Sequence, residues 1–105
     1  MIVVSTPSVE GKRTVEVMGL VQGNTVRTRH LGRDIMAGLR GLVGGEVGQY
    51  SRLLADAREE ALQGMLRQAD GKGANAVVNL RFATSSIIYG ASEILAYGTA
   101  VVVEE

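Results

Sequence analysis

The chain contains no cysteine and no tryptophan, one histidine, one proline, and no surplus of either charge. Without cysteine there is no disulfide framework, no thiolate nucleophile, no Cys-x-x-Cys redox pair and no Cys-ligated zinc. A lone His30 rules out a His pair within one chain, and a Ser-His-Asp triad would have to be built on it. His30 stands among Arg27, Arg29 and Arg33, where neighbouring cations disfavour imidazolium, so it reads as an exposed loop residue. Eleven Lys+Arg balance eleven Asp+Glu, which removes the basic footprint of a nucleic-acid binder. Three Tyr and one Phe leave little for base stacking. Apolar runs are only a few residues long, far short of the roughly 20 that span a bilayer. The opening Met1–Ser8 has neither a basic stretch nor a long apolar one, so the expected location is the cytoplasm. With the usual nucleophiles and bases this scarce, the sequence reads as that of a non-enzyme.

What is present is a globular composition: 105 residues, 46% apolar and 21% charged, the size of a single domain spanning 1–105. Glycine is abundant, 14 of 105 residues, and scattered as it is in chains with turns, bulges and close backbone approaches. Ile2–Ser5 predicts a short strand. From Thr14 the residues alternate, with Val15, Val17, Gly19 and Val21 on one face and Glu16, Met18 and Leu20 on the other. Gln22-Gly23-Asn24 then predicts a bend or bulge. Leu31, Ile35, Leu39, Leu42 and Val43 form a helical stripe that carries Gly32, Gly38 and Gly41 and stops at Gly44-Gly45. A second helix is better marked by Val47, Tyr50, Leu54, Ala57, Ala61 and Met65, ending at Gly71 and Gly73. Two strands follow. Ala76–Thr84 places Val78, Leu80 and Phe82 against Val77, Asn79 and Arg81, with Ile87-Ile88 as an extension, and Ile94–Val103 is apolar on both faces. The order ββααββ predicts an α+β fold, a four-stranded, mostly antiparallel sheet with two helices packed on one face.

Two helices cover one side of such a sheet, yet the last strand is apolar on both. An apolar strip of that kind marks an interface, so the second face is expected to be buried against copies of the chain, in a closed ring when the contact is head-to-tail.

Several segments, in order along nearly the whole chain, resemble the bacterial YbjQ-like family. They are Ser5-Thr6-Pro7, Val9-Glu10-Gly11, Gly32-Arg33-Asp34-Ile35, Ala37-Gly38-Leu39-Arg40, Val43-Gly44-Gly45, Ala57-Arg58-Glu59, Gly73-Ala74-Asn75-Ala76-Val77-Val78 and Gly98-Thr99-Ala100-Val101. The resemblance implies an α+β subunit of a homopentamer. It also carries the family label "putative heavy-metal-binding", which makes a divalent metal ion the one cofactor suggested. Soft metals favour thiolate or thioether and zinc favours Cys or His. Met18, Met36 and Met65 occupy positions that read as core, so imidazoles could gather only if each subunit of a ring contributed its His30.

Three groups of residues are candidate sites. Asp34 can cap the first helix while Arg33 and Arg40 hold an anion or carboxylate, although an N-cap with an intersubunit ion pair needs the same residues. Gly44 and Gly45 can offer backbone N–H groups to an anion, but they lack the P-loop context and equally form a plain inter-helix turn. Glu16, with Asn79, Arg81 and Glu93, is polar on otherwise apolar strand faces. Repeated around a ring, Glu16 carboxylates would suit a hard cation, and the alternative is simple solvent exposure. The expected function is binding of a metal ion or small ligand at subunit interfaces, or else a scaffold acting through protein–protein contacts.

Overall fold

The computed structural model describes residues 1–28, 46–88 and 91–105. These residues form strands β1 (Ile2–Val3), β2 (Arg13–Thr28), β3 (Ala76–Ile88) and β4 (Ala91–Glu104), with a helix, α1 (Glu46–Gly71), between β2 and β3. The sheet order is β1-β3-β4-β2. β4 is antiparallel to both β2 and β3, whereas β1 runs parallel to β3. A parallel pair needs a crossover connection, and β2 and α1 together supply it.

The α+β class stands, but the two-helix, ββααββ arrangement does not. Among the described residues one helix covers a mixed sheet; the stripe from Leu31 to Val43 lies outside them. At 26 residues, α1 is about 39 Å long at 1.5 Å per residue, enough to cross the sheet alone. Its stripe of Ala57, Ala61, Met65 and Ala69 is fully buried against Val21, Val77, Ile94, Ala96 and Ala100. Three alanines keep that stripe flat, which brings helix backbone onto strand backbone. At Gly23 an added Cβ would overlap Ala61 O and Met65 N and approach Gly64 C to 2.7 Å. Gly23 is therefore the place where α1 touches the sheet rather than a bend, and β2 continues unbroken for 16 residues.

Register slips revise the predicted strand faces. The β2–β4 register slips between Thr14 and Glu16 and again between Val17 and Gly19, where Gly19 has φ 108°. Val17 pairs with Val101 but Val21 pairs with Gly98, so the two valines point to opposite faces. On β3 the register slips between Val78 and Arg81, at Asn79 with φ 56°. Val78 consequently shares a face with Arg81, while Val77 shares one with Leu80 and Phe82. An inserted residue reverses the side-chain alternation beyond it.

The face away from α1 has its own small core of Val9, Ala76, Val78, Val101 and Val103, covered by the N-terminal segment with Ile2 and Val4. That cover extends over only one end of the sheet.

Candidate functional site

Of the residues proposed from sequence, His30, Arg33, Asp34, Arg40, Gly44 and Gly45 lie outside the described residues. Glu16 is exposed and pairs with Val102 between the two β2 bulges. Glu93 is nine β4 residues from Val102, about 30 Å at 3.3 Å per residue, so the two carboxylates do not share a site. Glu93 Oε2 instead accepts a hydrogen bond from Asn24 Nδ2 at 3.0 Å. Arg81 Nη1 donates to Ser5 O and Leu80 O, both at 2.8 Å, and Asn79 N donates to Thr6 O at 2.9 Å. These two residues hold the N-terminal segment to β3; together with Glu16 and Glu93 they do not make one polar cluster.

An open cleft of about 380 Å³ lies between Met1, Ile2, Lys12, Asp70, Ala74, Asn75 and Val103. Its floor is fixed by the Asn75 side chain, whose Oδ1 accepts from Val103 N at 2.8 Å and whose Nδ2 donates to Val103 O at 2.9 Å. Lys12 is drawn toward Glu105, at 3.8 Å.

Among the described residues, an exposed apolar strip runs along the second sheet face. Val17 is 66% exposed, Leu20 64% and Val26 47%, and they flank the half-buried Leu95, Tyr97 and Thr99 of β4. The sequence pattern puts Val17 on the same strand face as Val21, because strict alternation hides a bulge. A single Gly19 inside an alternating strand was the available signal. Leu20, read from the alternation as facing away from Val17, shares its face, because partners across the sheet are set by register and not by local pattern.

A family model described as "Putative heavy-metal-binding", YbjQ_1, matches residues 1–104. The chain belongs to the YbjQ family. It is 58% identical over 104 residues to a UPF0145 protein of Hahella chejuensis, covering 99% of this chain and 100% of the relative. To a UPF0145 protein of Pyrococcus horikoshii it is 59% identical over 104 residues, covering 99% and 89%. A crystal structure of a protein of unknown function from Pediococcus pentosaceus, assigned to the DUF74 family, has the same fold. Its TM-score is 0.65 at 14% identity, over 99% of this chain and 98% of that one.

The described residues do not fit a thiophilic metal, although the family model is described as "Putative heavy-metal-binding". Cysteine is absent from the whole chain, and no group of three or more His, Cys, Asp or Glu forms among the described residues. Of the methionines read as core from the sequence, Met65 is fully buried and Met18 packs against the same core, while Met36 lies outside the described residues. No helix among the described residues is long and apolar enough to cross a membrane.

Proposed function

We propose that this YbjQ-family chain is a non-enzymatic, cytoplasmic subunit that works as a closed homo-oligomer, the pentamer expected of the family, and binds a small ligand or a hard divalent cation at its subunit boundaries. The observation carrying this reading is the exposed apolar strip of Val17, Leu20 and Val26 beside Leu95 and Tyr97. Apolar surface on that scale marks an interface. The molecule's proportions support it: a compact 105-residue chain has a radius of gyration of about 13 Å, against 17.0 Å here, with extents of 54 × 28 × 18 Å. A plate 18 Å thick is little more than one sheet and one helix, and it buries apolar surface efficiently only by stacking with others.

Native mass spectrometry of gently purified protein tests both halves of the proposal. The expected result is a species of five 11.1 kDa chains carrying a stoichiometric additional mass. A monomer at working concentration would overturn the reading. A pentamer with no additional mass would leave the second reading, a scaffold that acts through protein contacts alone. That alternative is favoured by the shape of the cleft at Met1 and Asn75, which is open rather than enclosed.

A further inference from the structure

The last turn of α1, the loop after it and the N-terminal segment converge on the 380 Å³ cleft, and backbone bonds fix its shape. Where the chain leaves α1, Lys72 N donates to Gln68 O at 3.2 Å and to Ala69 O at 3.1 Å. Gly73 N donates to Asp70 O at 3.0 Å, and Ala74 N to Ala69 O at 3.2 Å. Across the cleft, Ile2 N donates to Asn75 O at 3.2 Å and Asn75 N to Val101 O at 3.1 Å. The Asn75 side chain is committed to Val103. With these polar groups paired, what the floor offers an occupant is the apolar surface of Ile2, Ala74 and Val103.

The two walls carry opposite charges. Asp70 stands in the last turn of α1, which holds no basic residue. The carbonyl end of a helix is its negative pole, so a carboxylate there deepens a negative potential and draws a cation. Lys72 follows two residues later but does not line the cleft. The other wall holds Lys12, whose Nζ lies 3.8 Å from Glu105 Oε1. That pair is loose, and the Glu105 side chain is 93% exposed, so an incoming carboxylate can take its place. Charged groups are costly to strip of water. A cleft open on one side leaves part of that water in place, which suits a molecule bearing two charges better than an apolar one.

We propose that this cleft binds a small zwitterion of the amino-acid class. Its ammonium sits at Asp70 and the carbonyl end of α1, its carboxylate at Lys12 in place of Glu105, and its apolar side chain over Ile2, Ala74 and Val103. The volume falls in the range of small-molecule sites, about 300–1,000 Å³. The site is built within one chain, so it goes beyond the subunit-boundary reading above and does not depend on assembly.

The test uses three probes on the full chain: L-valine, isobutylamine (valine without its carboxylate) and isovalerate (valine without its ammonium). Titration followed by two-dimensional NMR is expected to show valine shifting the amides of Ala74 and Asn75 while those of Val17, Leu20 and Val26 stay in place. Valine is expected to bind at least about tenfold more tightly than either singly charged probe. Asp70→Asn and Lys12→Gln are each expected to weaken valine about tenfold. Asp70→Asn should keep wild-type affinity for isovalerate, and Lys12→Gln wild-type affinity for isobutylamine. The Tm of Asp70→Asn is expected at or above that of the wild type, since a carboxylate leaves the negative pole of α1. No shift of a lining amide at about 50 mM valine, far above a millimolar Kd, would overturn the proposal. Equal affinity of the wild type for valine and either singly charged probe would do so as well, and that comparison needs no variant. A uniform loss of all three probes in both variants would show a structural role for the two residues and overturn it too. A monomeric protein that binds valine in the expected pattern would overturn the assembly reading and leave this site standing.

Discussion

Gly23 and Asn75 show how much of this fold depends on single side chains, or on the lack of one. A Cβ at Gly23 would meet helix backbone at Ala61 and Met65, neither of which can rotate aside. Gly23→Ala is therefore expected to lose about 1–3 kcal/mol, read as a drop of roughly 4–8 °C in Tm for each kcal/mol. Gly98 is constrained in the same way, by Val77 Cγ1 at 2.7 Å and Val78 O at 3.0 Å. Asn75 acts through its amide, which pairs with both backbone groups of Val103 and so completes the ladder where β3 begins. Asn75→Ala leaves those groups without protein partners and is expected to cost about 1–3 kcal/mol, whereas Asn75→Asp, which keeps the acceptor, should recover part of it. Chemical denaturation of the three proteins distinguishes these outcomes.

Elements differ in how openly their sequences announce them. The spacing of Ala57, Ala61, Met65 and Ala69 predicts α1 because a helix repeats its surface every three to four residues, and the structure has that stripe fully buried. Met65→Ala is expected to cost about 2–5 kcal/mol through the cavity it leaves. Arg13→Ala breaks only the exposed 2.8 Å pair with Glu104 and should cost less than about 1 kcal/mol; equilibrium unfolding of both variants measures the contrast. The strands were visible as strands, since period-two alternation and β-prone residues are local. Their faces were not. The bulges at Gly19 and Asn79 follow from pairing with β4, and the positive φ of Asn79 has no signature in an alternating run.

For the whole molecule, the long sheet and its partly bare second face decide behaviour more than any single element. Leu20→Glu puts a charge at a position that is 64% exposed in the isolated chain. It is expected to leave the monomer fold intact and to shift the oligomer toward monomer, measured by light scattering across a dilution series. Because assembly stabilises by mass action, the wild-type Tm should rise with protein concentration and that of Leu20→Glu should not. The donor set makes a further prediction. Chelation removes metal from a structural site and with it folding free energy, so a chelator selective for thiophilic metals is expected to leave Tm unchanged here. A downward shift, with Cd or Zn restoring the original value, would show a thiophilic site after all.

The amino-acid sequence alone determined the α+β class, α1, the presence of the strands and membership of the YbjQ family, since these rest on residue type and short-range periodicity. It also ruled out thiolate chemistry through the absence of cysteine. Only the tertiary structure decided the strand order β1-β3-β4-β2, the parallel β1, the reversal of faces at the bulges and the exposed strip of Val17, Leu20 and Val26. Each of these depends on which distant segments pair, for example Val17 with Val101. Pairing energies are shared between residues some eighty positions apart, and no local pattern records them.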